Sequence, residues 1–119
     1  MKENVILTKS YAFALKIIKA YKVLAYEKKE YVLSRQILKC GTSIGANVEE
    51  STGGQSRKDF FSKITIAYKE ARETHYWIRL LRDSGFLEKE MTASLIKDCE
   101  ELLRILTAIQ ITVKKKMDC

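Results

Sequence analysis

Side chains able to perform acid–base or nucleophilic chemistry are sparse in this sequence. It contains one histidine, His75, and a Ser-His-Asp or Cys-His site needs that base beside a nucleophile. The helical pattern described below places His75 on an outer helix face, toward Arg72 and Arg79, which favours an incidental surface histidine. One histidine also excludes the di-metal bundle sites that need paired Glu-x-x-His motifs. We therefore predict no catalytic residue and no enzyme activity.

Three carboxylates lie closest to apolar positions: Glu50, Glu70 and Glu73. Magnesium prefers such oxygen ligands, so a metal site on them is one interpretation. The alternative is structural, because a partly buried carboxylate on a basic protein usually pairs with lysine or arginine or caps a helix. We favour the structural role and predict no metal and no cofactor.

The three cysteines, Cys40, Cys99 and Cys119, are odd in number and widely spaced. They form neither a disulfide framework nor a zinc-ligand pattern. Cys40 and Cys99 fall on apolar helix faces and are predicted to be small core residues in a reducing cytoplasm. The N-terminal residues lack the pattern of a signal peptide, and no apolar run approaches the ~20 residues that span a membrane. A cytoplasmic protein is expected.

Four segments with helical periodicity must position any functional side chain. They are predicted to run over about residues 5–28, 31–50, 57–83 and 88–115. The chain has no proline, which favours long helices joined by short turns. Short connections make neighbouring helices antiparallel. The prediction is one all-α domain, residues 1–119, folded as an antiparallel up-down-up-down four-helix bundle.

Glycine and serine residues mark close contacts and helix ends. Gly41-x-x-x-Gly45 removes side chains within the second helix and permits close approach of a neighbour. Gly53 and Gly54 are predicted to end that helix in a left-handed cap, and Ser56 to begin the third helix by accepting an amide hydrogen bond. Gly85 is predicted to stop the third helix.

Apolar side chains exceed what one bundle core needs. The third helix has a core stripe and a second apolar stripe elsewhere around its axis, and the first helix has apolar residues among its lysines. Because one core needs one stripe per helix, the excess predicts contact with another subunit. The candidate oligomer interface comprises Leu15, Val23, Ile66, Trp77 and Leu80.

The formal charge of +7 is spread along the chain and favours an anionic partner such as RNA, DNA or an acidic protein surface. Lysines and arginines alternate with aromatic residues on two helices, a pattern that can hold phosphates and stack bases. Such faces are equally typical of solvated helix surfaces. The candidate nucleic-acid-binding residues are Lys16, Lys19, Lys22, Lys58, Lys69, Arg72, Tyr76 and Arg79.

Residues 40–50, CGTSIGANVEE, resemble a signature of the four-helix-bundle proteins encoded in intervening sequences of bacterial 23S ribosomal RNA genes. The signature's serine, small residue, asparagine and acidic residue correspond to Ser43, Ala46, Asn47 and Glu50. Its glycine is delayed to Gly53. A second signature on the third helix matches Ala67, Glu73, Tyr76, Trp77, Leu81 and Gly85.

This resemblance implies a ring-like homopentamer related to the accessory proteins of diversity-generating retroelements, which bind nucleic acid and a reverse transcriptase. We therefore predict a non-enzymatic RNA- or DNA-binding homo-oligomer. The alternative is a scaffold or accessory subunit for an acidic protein or a reverse-transcriptase-like partner. The signature's polar positions, Ser43, Asn47, Glu50 and Glu73, are expected to form a buried network joining the second and third helices.

Overall fold

The computed structural model describes residues 2–118, with side chains from residue 5 onward. Met1 and Cys119 lie outside the described residues. Within this range the chain has four helices and no strand, which confirms the all-α prediction. The elements are α1 (Lys2–Lys22), continued by a π-helical turn (Val23–Glu27), then α2 (Leu33–Ser51), α3 (Arg57–Asp83) and α4 (Lys89–Asp118).

The predicted helix limits agree for α3 and shift by one to three residues at the ends of the other helices, among them the start of α2. This helix begins at Leu33, two residues later than predicted, because the Glu30 carboxylate caps it. The carboxylate accepts hydrogen bonds from the amides of Val32, Leu33 and Ser34 at 3.2, 3.0 and 2.8 Å. Burial pushes the pKa of Glu30 upward, but these amides outweigh it and hold the pKa below its usual 4.5.

The start and end of α3 follow the sequence signals. The Ser56 side chain accepts a hydrogen bond from the Asp59 amide at 3.1 Å, and Gly85 takes φ +81° after the helix. The predicted left-handed cap at Gly53 and Gly54 is wrong, since Gly85 is the one described glycine with positive φ. Gly54 instead allows close packing, because an added Cβ would lie 3.2 Å from the Ser51 carbonyl oxygen.

Contacts between the helices follow a simple order. α1 packs against α2 and α4, and α3 packs against the same two helices. Near the start of α1, Lys9 pairs with Glu101, and further along, Lys16 pairs with Asp98. On the other side of α4, Gln110 donates a hydrogen bond to Thr65 in the first half of α3. These contacts form a body of 50 × 22 × 21 Å.

The close approach predicted for Gly41 and Gly45 is confirmed between α1 and α2. An added Cβ on Gly41 would lie 2.7 Å from Cγ1 of the fully buried Ile17. A Cβ on Gly45 would lie 3.3 Å from the Ser10 carbonyl oxygen. A Cβ on Gly41 would force a shift, and one on Gly45 would be tighter than most Cβ contacts, so the two glycines allow the close α1–α2 spacing.

Most residues of the predicted core stripes are buried; Tyr21, Leu33 and Phe60 are half-buried, as are two residues near the C-terminal end of α4. Ile109 and Val113 are only half-buried there. Lys9 lies near the start of α1 and pairs with Glu101, whereas α4 continues to Asp118. Too little of α1 therefore remains to cover the last turns of α4. An apolar groove of about 510 Å³ lies beside these residues, lined also by Val5 and Phe60.

Candidate nucleic-acid interface

The outer face of α3 carries five of the predicted nucleic-acid-binding residues. Their spacing by three, four or eleven positions places them on one side of a helix with 3.6 residues per turn. All five are exposed in the structure. They are Lys58, Lys69, Arg72, Tyr76 and Arg79. The face therefore carries a row of basic residues, dense from Lys69 to Arg79, which we call the α3 stripe.

Tyrosine rings hold both arginines of the α3 stripe in place. The Arg72 guanidinium carbon lies 5.9 Å from the centroid of the Tyr68 ring, and Arg72 Nη1 donates a hydrogen bond to Tyr68 Oη at 3.1 Å. The Arg79 guanidinium carbon lies 5.8 Å from the Tyr76 centroid. Cation–π contacts of this kind leave the positive charge available to solvent. Both charges remain free to meet an anion.

His75 contributes to this face as a hydrogen-bond partner. Arg79 Nε donates to His75 Nδ1 at 3.1 Å, and His75 Nε2 lies 3.1 Å from a Glu100 carboxylate oxygen. Since Nδ1 accepts, a neutral ring carries its proton on Nε2 and donates it to Glu100. The ring therefore links α3 to α4 and orients Arg79.

The three predicted lysines of α1 form a separate region. Lys16 is half-buried and pairs with Asp98, and its ammonium also bonds to Ser94. Lys19 and Lys22 are exposed. Because α2 and α4 pack on both sides of α1, they separate these lysines from the α3 stripe. One chain therefore presents two separate basic regions, although the sequence analysis grouped all these residues as one candidate nucleic-acid-binding set.

The predicted buried polar network is wrong for the single chain, since Glu50 and Glu73 are both exposed. Ser43 Oγ donates to the Lys39 carbonyl at 2.7 Å, and Asn47 Nδ2 donates to the Ser43 carbonyl at 2.8 Å, both within α2. Glu73 accepts from Trp77 Nε1 at 3.0 Å within α3. Only Glu50 joins the two helices, through a 2.8 Å ion pair with Lys63. Small side chains on a helix reach their own backbone more readily than a neighbour's.

The signature segments thus lie on α2 and α3, which contact each other through Glu50 and Lys63, and the comparisons with known proteins agree with the resemblance that these segments carry. The sequence model of the family described as 23S rRNA-intervening sequence protein matches residues 2–108. The chain belongs to this family. No curated protein matches the chain significantly.

One similar solved structure has 46% sequence identity and a TM-score of 0.90 to this family member. The comparison covers 92% of this chain and 98% of the other. That structure is described as a protein of unknown function from the S23 ribosomal protein family of Bacteroides thetaiotaomicron VPI-5482. Among residues 2–118 of the present chain, no helix is long and apolar enough to cross a membrane.

The predicted interface residues of this family member divide into two groups. Leu15, Ile66 and Leu80 are exposed by 50%, 38% and 37%. Val23 and Trp77 are half-buried and pack against the core of their own chain. The exposed group lies on α1 and on α3, so one chain presents apolar side chains on two different sides.

The surroundings of Glu70, Cys40 and Cys99 are those of structural residues rather than of reactive ones. Burial and the charge of Glu73 raise the pKa of Glu70, and Lys39 partly opposes them. Burial raises the pKa of Cys40 to about 11 and that of Cys99 to about 12, which suppresses the reactive thiolate. Within the described part of the chain, no group of three or more His, Cys, Asp or Glu side chains is arranged to hold a metal.

Sequence reasoning missed three tyrosines: Tyr68, Tyr26 and Tyr31. Tyr68 supports Arg72, and its spacing of four residues from that arginine was a usable signal. Tyr26 and Tyr31 are exposed at the α1–α2 connection. Helical periodicity gave no signal for them, because the π-helical turn at Val23–Glu27 interrupts the regular repeat.

Proposed function

We propose that this protein is a non-enzymatic, cytoplasmic RNA- or DNA-binding protein, and that the α3 stripe contacts phosphates. The observation that supports this most directly is the pair of exposed arginines held over tyrosine rings, with the exposed Lys69 about one helical turn before Arg72. Cations restrained in this way lose less side-chain entropy when they bind an anion than free lysines do.

The dimensions of the α3 stripe also support phosphate binding. From Lys58 to Arg79 the helix axis extends about 32 Å, and consecutive phosphates of one duplex strand advance about 3.4 Å along the axis. The stripe is thus long enough to follow several phosphates. It offers cations and one exposed ring but no array of amide side chains, so we propose that it reads charge and shape with little base specificity.

We also propose that the four helices form an antiparallel up-down-up-down bundle. Support comes from the order of the contacts: Lys9 and Lys16 of α1 pair with Glu101 and Asp98 of α4, in reversed sequence. Glu50 at the end of α2 likewise pairs with Lys63 near the start of α3.

Assembly into a homo-oligomer is part of the same proposal. Leu15 on α1 and Ile66 and Leu80 on α3 are exposed on different sides, as a ring with two unlike contact faces requires. The resemblance to the intervening-sequence proteins suggests a pentamer. In such a ring, Glu73 and Glu50 would become covered at the subunit contacts that involve α3.

The test is binding of purified protein to labelled RNA and DNA in a salt series starting at about 50 mM. We expect binding whose affinity falls steeply with salt. No binding at low salt would contradict the proposal. A complex with an acidic or polymerase-like protein partner that survives nuclease treatment, in the absence of nucleic-acid binding, would instead support the scaffold function.

A further inference from the structure

The connection between α1 and α2 exposes aromatic and apolar side chains at one end of the molecule. Tyr26, Tyr31 and Val32 are 63%, 52% and 70% exposed. Three large side chains thus face solvent within seven residues, outside the buried cluster that all four helices share. These two tyrosine rings lie outside the core and leave ring surface free to meet a ligand.

The same connection is strongly basic. Residues 19–35 contain five basic and two acidic side chains. Lys22, Lys28 and Lys29 are exposed, and they make no ion pair among the described residues. One of the acids, Glu30, directs its carboxylate to the first amides of α2, where the helix dipole offsets its charge. The cations around the rings are therefore largely uncompensated.

Local backbone geometry holds the rings outward. Lys28 N donates to the Val23 carbonyl at 3.0 Å, which closes a π-helical turn, and Lys29 takes φ +56° to reverse the chain. The Tyr26 ring meets the Tyr21 ring edge to face, with centroids 6.3 Å apart. An edge-to-face contact covers at most one face of a ring, so stacking surface remains. Single π-helical turns occur frequently at functional sites.

We infer that this connection is a stacking site for unpaired bases of a single-stranded nucleic acid, with Tyr26 and Tyr31 as the platforms and Lys22, Lys28 and Lys29 on the phosphates. The inference rests on the proposed function and specifies the form of nucleic acid. Base–aromatic stacking with nearby cations is the usual mode of single-strand binding. A duplex keeps its bases stacked on one another and leaves none for the rings.

An anionic membrane is a less suitable partner for this surface. Binding in a membrane interface requires a helix with a broad apolar face, and here the exposed apolar residues lie on a short connection.

The position of the α1–α2 connection also favours a nucleic-acid strand that contacts the α3 stripe as well. Since Glu50 pairs with Lys63, the start of α2 lies toward the end of α3, near Arg79. Both basic regions therefore reach the same end of the molecule.

The experiment measures the dissociation constants of a single strand of about 12 nucleotides and of the matching blunt duplex, at about 50 mM salt. The full chain is compared with Tyr26→Ala/Tyr31→Ala. The matched control is Tyr11→Ala, because Tyr11 is 68% exposed on a regular turn of α1. Tyr26→Phe/Tyr31→Phe retains the rings, and circular dichroism verifies that each variant is folded.

We expect the double alanine variant to weaken single-strand binding by at least about fivefold per ring while duplex binding stays unchanged. Tyr11→Ala and the phenylalanine variant should bind like the original chain. If the alanine variant unfolds, Lys28→Gln/Lys29→Asn serves instead and should lower both the single-strand affinity and its salt dependence.

Unchanged single-strand binding in both the tyrosine and the lysine variants would overturn the stacking site but leave the proposed function intact, provided that α3-stripe variants still weaken binding. Equal weakening for single strand and duplex would overturn the stacking role. Failure of the original chain to bind any nucleic acid would overturn both proposals. Tyrosine-dependent binding to phosphatidylglycerol vesicles without nucleic-acid binding would assign the connection to membranes.

Discussion

The lysines of α1 and the cations of the α3 stripe come from similar sequence patterns but have different surroundings. Lys16 faces α4, where Asp98 neutralises its charge, and Lys9 pairs similarly with Glu101. Arg72 and Arg79 instead lie over tyrosines of their own helix and keep their charge exposed. The neighbouring helix therefore decides whether a basic residue holds the fold together or remains available to a ligand.

The same contrast explains why net charge alone does not locate a site. An exposed ion pair contributes at most about 1 kcal/mol to stability, yet it removes one cation from the field that a polyanion meets. A cation over a ring keeps its charge and gains a preferred orientation. On α3, Arg72 and Arg79 both keep their charge and gain an orientation, and they do so on one helix face.

Neutralising the α3 stripe should have the largest effect on binding. Lys69→Gln/Arg72→Gln/Arg79→Gln removes three phosphate contacts, and each contributes a slope of about 0.7–0.9 in log affinity against log salt. We expect affinity for RNA or DNA at low salt to fall at least about 30-fold, with the slope reduced by about two. Fluorescence anisotropy in a salt series measures both. An unchanged slope would remove the distinction between α3 and α1.

Tyr76 should have the next largest effect. Tyr76→Ala removes both the ring beneath Arg79 and an exposed stacking surface, so we expect affinity to fall about fivefold or more. Tyr76→Phe keeps the ring and should bind as the original chain does. Titration of the two variants side by side checks this. If phenylalanine fails to restore binding, the hydroxyl rather than the ring is responsible.

Glu30 extends the comparison to an acidic residue bound within the fold. Glu30→Gln should lower stability by about 1 kcal/mol, because a capping carboxylate is lost, while nucleic-acid affinity does not decrease. The folded-state pKa lies below 4.5, so the carboxylate stabilises the fold at neutral pH, and this contribution disappears as pH falls through that pKa. Thermal melts should show a difference at pH 7 that shrinks below about pH 4. An equal difference at both pH values would contradict the cap.

Lys16 should have the smallest effect on binding. Lys16→Gln is expected to change affinity by less than about twofold, because Asp98 already neutralises the lysine. Stability should fall by no more than about 1 kcal/mol, since both side chains are more than a third exposed. Asp98→Asn releases the lysine and provides the matched control in the same anisotropy assay. A large loss of affinity in Lys16→Gln would place the binding surface on α1.

The four helices and most of their buried residues could be predicted because apolar periodicity records which helix side is covered. Gly41 illustrates this, since the pattern predicted a close helix approach there and Ile17 of α1 fills that position. The half-burial of Val113 could not be predicted, because it depends on where α1 begins relative to α4. The π-helical turn also escaped prediction, since its backbone register does not appear in residue types.

The candidate site was only partly predictable for a similar reason. The spacing of Arg72, Tyr76 and Arg79 identified one face of α3. Separating Lys16 from that set required the position of Asp98, which lies 82 residues away in sequence. The signature residues Asn47 and Glu73 were expected to meet across helices, but each bonds within its own helix.

The most direct test of the account is the site of cross-linking between this protein and a bound RNA that carries photoreactive uridines, mapped by mass spectrometry. Nucleic acid lying along the α3 stripe predicts cross-linked peptides within residues 58–79, lost in the Lys69→Gln/Arg72→Gln/Arg79→Gln variant. Cross-links confined to the Lys16 region of α1, or to the C-terminal end of α4, would contradict the assignment of binding to α3.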